Sequence, residues 1–165
     1  MNAGRRAELW TVLLVVALDQ ATKAVVRARF DLFDSVTVIP GWFDLTRVHN
    51  TGTAFGMLNG IDFPGKAAAL SLLAAAALVG LAWYAATLPS DQWLTRWGLS
   101  GIVGGAAGNL IDRVTAGYVV DFVDVYHDGW HFWAFNVADA AISIGVALMV
   151  LDVLGVTRSR ATRAA

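Results

Sequence analysis

A chain of 165 residues that is 57% hydrophobic and 15% charged, with mean hydropathy +0.58, falls well short of the roughly 25% charged residues of a soluble domain and reads first as a membrane protein. Its formal net charge of −1 argues against a nucleic-acid partner, which needs a basic surface. Cysteine is absent, which excludes a disulfide, a thiolate nucleophile and a cysteine-ligated metal.

In chain order, Arg5 and Arg6 precede an apolar run from Leu9 to Leu18, as in a signal peptide. No small-residue cleavage site follows. The run instead meets Asp19-Gln20 and Thr22-Lys23, so it is read as an uncleaved first span. Four segments are long and apolar enough to cross a bilayer, which takes roughly 20 helical residues. They are residues 8–26, 66–88, 93–111 and 136–154. The fold expected is an all-α membrane protein of one domain, 1–165, with four transmembrane helices.

An even number of spans puts both termini on one side. Arg5 and Arg6, Arg96 assigned to the short loop between spans two and three, and Arg158, Arg160 and Arg163 place that side in the cytoplasm by the positive-inside rule. Arg27, Arg29, Arg47 and Lys66, on the other side, run against it. Loops 27–65 and 113–135 then face outward. In the first, Ser35 to Ile39 and Trp42 to Val48 alternate around a Pro40-Gly41 turn. They predict a small extracytoplasmic β-hairpin or sheet on the membrane surface. Phe33, Trp42 and Phe43 would sit at headgroup depth, as would Tyr118, Tyr126, Trp130, Phe132 and Trp133 in the second loop.

Span three carries Gly101-x-x-x-Gly105 and Gly104-x-x-x-Gly108. Such glycines either pack helices closely or make room for a bound chain or lipid. Polar groups gather at the outer ends of the spans. Asp19 and Lys23, four apart, share a helix face and suit a structural ion pair. Asn109 lies on the same side as Asp112 and Arg113. Arg113 suits either a carboxylate partner or an interfacial anchor. Asp121 falls in an extended segment, Tyr118 to Val125, and Asp139 in the first turn of span four, three residues after Asn136. Separately, they fit a solvated loop charge and a helix-dipole carboxylate. Together, two close aspartates cannot both ionise easily. They can share a proton, one activating water while the other protonates a carbonyl oxygen or leaving amine.

The ordered motifs Asp19-Gln20-Ala21-Thr22-Lys23, Asn50-Thr51-Gly52-Thr53-Ala54-Phe55, Gly104 to Arg113, Val120-Asp121-Phe122 and Phe135-Asn136-Val137-Ala138-Asp139 resemble the bacterial lipoprotein signal peptidases (signal peptidase II) over about Leu9 to Leu154. The resemblance implies an aspartic endopeptidase that removes the signal peptide from diacylglyceryl-modified prolipoproteins, cutting just before the lipidated cysteine. Carried over, Asp121 and Asp139 are the catalytic pair. Asp19, Lys23, Asn50, Gly52, Asn109, Asp112, Arg113 and Asn136 are the supporting or substrate-binding positions. No cofactor or metal is implied. The implied setting is a monomer in the bacterial inner membrane, with prolipoprotein and lipid as partners and the site at the extracytoplasmic boundary. Asp44 and Arg47 depart from the amide and the aromatic residue more usual in the family.

Three other readings compete. Gly98-Leu99-Ser100-Gly101 resembles the rhomboid serine-protease motif, but His49, His127 and His131 all fall in outer loops. His127 and His131 are spaced for a metal, with Gly129 weakening the helix that spacing needs. A non-enzymatic proton or ion relay would spread carboxylates through the membrane depth, whereas here they collect at one boundary apart from Asp152.

Overall fold

A computed structural model of the chain describes residues 3–52, 57–58, 60–61 and 63–155. Thr53, Ala54 and Phe55 of the second motif lie outside those residues, as do Arg158, Arg160 and Arg163. Four helices, α1 (Ala3–Arg29), α2 (Lys66–Thr87), α3 (Trp93–Ala116) and α4 (Val137–Val153), carry four strands. These are β1 (Ser35–Ile39), β2 (Phe43–Asn50), β3 (Val119–His127) and β4 (Trp130–His131). α1 and α2 are long and apolar enough to cross a membrane.

α3 is the central helix and packs on the other three. Its glycines set the spacing. A methyl group on Gly105 would run into the carbonyl of Ala138 on α4, and one on Gly101 would lie 3.1 Å from that of Ala141. One on Gly104 would lie 2.9 Å from Val15 Cβ on α1, and one on Gly108 would lie 2.5 Å from Asp19 Oδ2. Both glycine motifs are therefore spent on helix packing, and neither leaves room for a bound chain.

α3 runs five residues past its expected end at Ile111 and so carries Asp112 and Arg113 within the helix. It stops where Gly117 turns left-handed at φ 81° and donates its N–H to the Arg113 carbonyl at 3.0 Å. α1 likewise extends to Arg29. Arg47 of β2 donates to the carbonyls of Phe30 at 2.8 Å and Arg27 at 3.4 Å, capping that end. Arg47 thus departs from an aromatic residue to become a helix cap.

The expected hairpin is one edge of a larger sheet. β1 to β4 form a four-stranded antiparallel sheet in chain order, because β2 pairs along its far side with β3. The mostly helical chain with a small sheet agrees with the expectation, and the sheet is four-stranded rather than a lone hairpin. Val48 stands opposite Asp121, and Asn50 opposite Val119. Val120 and Phe122 are buried against Val26 and Phe30 near the C-terminal end of α1. This packing seats the sheet on the helices and fixes the height of Asp121. Phe33, Trp42, Trp130 and Trp133 are exposed, as rings suited to headgroup depth would be.

Candidate active site

Two polar layers meet where the C-terminal parts of α1 and α3 approach the N-terminal end of α4. The first is closed. Asp19, Lys23 and Asp112 are fully buried. The Lys23 ammonium lies 2.8 Å from Asp19 Oδ2 and 3.0 Å from Asp112 Oδ2, and donates to Asn109 Oδ1 at 2.8 Å. The expected Asp19–Lys23 pair is present, with a second carboxylate and an amide sharing the same cation. Each aspartate also reaches another element. Asp19 Oδ1 accepts the Ala138 N–H of α4 at 3.0 Å, and Asp112 Oδ2 accepts the Val120 N–H of β3 at 3.2 Å.

Two members of this layer were not singled out from the sequence. Arg27 donates to Asp112 Oδ1 at 2.7 Å, and Gln20 bridges Asp19, Asp112 and the Gly108 carbonyl. Arg27 is four residues beyond Lys23, so the same helix-face spacing that paired Asp19 with Lys23 could have found it.

The second layer lines an open cavity of about 730 Å3, and in it stand Asp121 and Asp139. Asp121, on β3, is 3% exposed, so it is not the solvated loop charge it could have been. Asp139 occupies the third position of α4, where Asn136 caps the helix. Asn136 Oδ1 accepts the Asp139 N–H at 3.0 Å, and Asp139 Oδ2 accepts the Asn136 N–H at 3.2 Å. This reciprocal capping box satisfies two helix-end donors and points the carboxylate back over the helix start.

The same Asn136 donates through Nδ2 to Asp121 Oδ1 at 2.7 Å. One asparagine therefore binds both carboxylates. Asn109 Nδ2 donates to Asp139 Oδ1 at 2.8 Å, and Asn50 Nδ2 to Asp121 Oδ2 at 3.0 Å. Among the described residues, no cation lies within ion-pair distance of either carboxylate. The Asp121 carboxyl is pushed up to about 7, first by burial and then by the neighbouring charge of Asp139. The amides of Asn50 and Asn136 hold it back. A carboxyl poised near neutral pH beside a second carboxylate has the properties of a general acid–base pair.

Arg113 also lines the cavity, without pairing a carboxylate there. Its guanidinium donates to the Gly52 carbonyl at 3.0 Å and to the Asn109 carbonyl at 3.4 Å. Gly52 is buried and donates its N–H to Asn50 Oδ1 at 3.0 Å. Asp112 stands behind this wall and fixes β3, rather than facing the cavity. Apart from Ser143, the helices give the cavity an apolar wall: Ala74 and Ala77 of α2, Ala106 of α3, Ala140, Ile142 and Ile144 of α4. Phe132 and Trp133, foreseen as interfacial rings, also line it, together with Phe135. Such a wall suits an apolar helix or acyl chain lying beneath two carboxylates.

The competing constellations lie elsewhere. Ser100 is inside α3 and spends its hydroxyl on the Arg96 carbonyl at 2.9 Å. His131 sits on β4 with Nδ1 3.0 Å from Asp124, and His49 stacks on Tyr118 at 3.7 Å. Burial and the adjacent guanidinium groups of Arg47 and Arg27 lower the His49 proton affinity. Asp152, near the C-terminal end of α4, accepts the Thr95 hydroxyl at 2.5 Å.

The family described as signal peptidase (SPase) II matches residues 11–155. The lipoprotein signal peptidase of Solibacter usitatus is 43% identical over 151 residues, 90% of each chain. That of Syntrophotalea carbinolica is 42% identical over 146 residues, 88% of this chain and 89% of its own. A bacterial membrane enzyme solved by the in meso method superposes with a TM-score of 0.78 at 31% identity, covering 92% of this chain and 90% of that one.

Proposed function

This chain belongs to the signal peptidase II family, and from that premise we propose that Asp121 and Asp139 are its catalytic pair. It is a protease of prolipoproteins, removing their signal peptides. The observation that carries the assignment of the pair is Asn136, which hydrogen-bonds both carboxylates beside the open cavity.

The substrate is a diacylglyceryl-modified prolipoprotein cut just before its lipidated cysteine. Its signal helix lies along the alanine-lined wall of α2, α3 and α4, and its acyl chains stay in lipid. The chain is one integral peptidase domain of four spans, acting as a monomer in the bacterial inner membrane. Both termini are cytoplasmic, and the site is at the outer boundary. The 17 residues of α4 rise roughly 25 Å, close to the roughly 30 Å hydrocarbon core.

In the reaction, the ionised aspartate takes a proton from water as its oxygen attacks the scissile carbonyl carbon. The protonated aspartate gives its proton to the carbonyl oxygen, forming a tetrahedral diol. Collapse breaks the C–N bond as the proton held by the base passes to the leaving amine and a hydroxyl proton of the diol returns to the other aspartate, leaving the new carboxyl group and restoring the starting pair. Asn50, Asn109 and Asn136 hold both carboxylates through the cycle without neutralising them. The closed Lys23 layer fixes Asn109 from behind.

The test offers the purified protein a prolipoprotein with and without its diacylglyceryl group, beside Asp139→Asn. Cutting of the lipidated form alone, lost in the variant, is the expected result. Cutting that survives in the variant would discard the pair, and cutting of both forms would discard the lipid requirement.

A further inference from the structure

Lys66 takes no part in the reaction above, yet it is 6% exposed and opens α2. A cation at a helix N-terminus opposes the helix dipole, and a buried ammonium is costly unless its donors are met. Among the described residues no carboxylate pairs with it. Its ammonium instead donates to the carbonyls of Leu58 at 2.6 Å and Ile61 at 2.7 Å, with Thr51 Oγ1 at 3.5 Å. Three donors thus meet three neutral oxygens. Leu58 holds a left-handed φ of 68°, a conformation that persists in a non-glycine residue only when its surroundings fix it. All three oxygens belong to the connection between β2 and α2.

That connection begins at the site. Asn50 must present its NH2 end to Asp121, since its oxygen would repel a carboxylate. Its orientation is set by the Gly52 N–H, which occupies Oδ1, and Gly52 is in turn held by Arg113. Thr51, between Asn50 and Gly52, is the residue Lys66 reaches.

We propose that Lys66 is a positioning residue for the peptidase reaction: its ammonium gathers the β2–α2 connection and so keeps the Asn50 amide turned toward Asp121. The inference rests on the assignment of Asp121 as catalytic. It also accounts for one of the outer cations that run against the positive-inside rule.

The experiment measures pH–rate profiles of the full chain with lipidated prolipoprotein, for Asn50→Ala, Lys66→Met and the double variant. Loss of the Asn50 donor removes a bond to the charged form of Asp121, so the limb governed by Asp121 moves to higher pH. Lys66→Met should move the same limb in the same direction and lower kcat by about tenfold, the scale of one hydrogen bond. The double variant should be no worse than Asn50→Ala alone. Additive losses, or a slower Lys66→Met with an unmoved limb, would overturn the proposal. Lys66→Gln keeps two donors and should leave the limb near its parent position; if the Met variant does not fold, a limb displaced in folded Lys66→Gln as far as in Asn50→Ala overturns the proposal. An Asn50→Ala enzyme with unchanged kcat and limb would locate the failure in the assignment of Asp121.

Discussion

Four aspartates stand within two adjoining layers, and they are held in opposite ways. Asp19 and Asp112 share the Lys23 ammonium, and Asp112 takes Arg27 as well. Asp121 and Asp139 have amide partners from Asn50, Asn109 and Asn136. A cation pins a carboxylate in its charged form, whereas an amide orients it and leaves its proton affinity open to burial and to a neighbouring carboxylate. The layer that must never change state carries the lysine. The layer that faces the cavity carries asparagines. Residue type is the same in both, so the distinction lies in the partners.

The sharpest way to break this comparison is to remove one carboxylate from each layer. Asp121→Asn and Asp139→Asn should each lower turnover by roughly 10²–10⁴-fold, the usual contribution of a general acid or base. Neither should lose its fold, as judged by thermal unfolding in detergent. A stability loss as large as the activity loss would place these aspartates with the structural pair.

Their pH behaviour should differ from that of a paired carboxylate. The Asp121 carboxyl binds its proton up to about pH 7 in the folded chain, against the ordinary 3.8. The native state therefore holds more protons than the unfolded state across that window, and stability falls as pH rises through it. Asp121→Asn should flatten this slope in unfolding curves between pH 5 and 8, a window chosen roughly around that value. An unchanged slope would mean that another group carries it. In the Asp139→Asn variant, loss of the neighbouring charge should bring the Asp121 titration down.

Next in size is Lys23→Met. It leaves Asp19 and Asp112 buried without their shared cation, at a cost of about 3–5 kcal/mol. Unfolding midpoints would show this. The double variant Lys23→Met with Asp19→Asn should recover part of the loss, because one of the stranded charges is gone. No recovery would argue that the lysine acts through Asn109 rather than through charge.

How much of this could be read from the sequence follows the range of each interaction. α2 was legible to within a residue, because an apolar run bounded by Lys66 and Pro89 is a local signal. The Asp19–Lys23 pair and the Asn136–Asp139 cap were legible for the same reason, at spacings of four and three. The end of α3 was misplaced because Asp112 and Arg113 look like a boundary; their partners, Lys23, Arg27 and Gly52, come from distant segments. The extended character of Tyr118 to Val125 was visible, but the pairing of β3 with β2 joins residues some seventy positions apart, as between Asn50 and Val119. That Asp121 and Asp139 share a wall came from resemblance, since no spacing rule spans the β3–α4 turn. The glycines of α3 announced a close approach without saying to what.

That last ambiguity supplies the finest test of the two layers, Gly108→Ala. A methyl group there would lie 2.5 Å from Asp19 Oδ2 and 3.1 Å from its Cγ. Asp19 has little room to give, because Lys23 holds one oxygen and the Ala138 N–H the other. The strain falls on the closed layer, and its cost should be about 1–3 kcal/mol, as for other overpacked sites. Asp121 and its three-amide neighbourhood are one step removed, so the pH–rate profile should keep its shape while the unfolding midpoint drops. Gly80→Ala on α2 is the matched control: nothing lies within 4 Å of the added methyl, and alanine is the better helix former by roughly 1 kcal/mol. A Gly108→Ala profile that shifts along the pH axis would mean that the ion layer tunes Asp121 and Asp139 as well as supporting them, and the separation between the two layers would have to be given up.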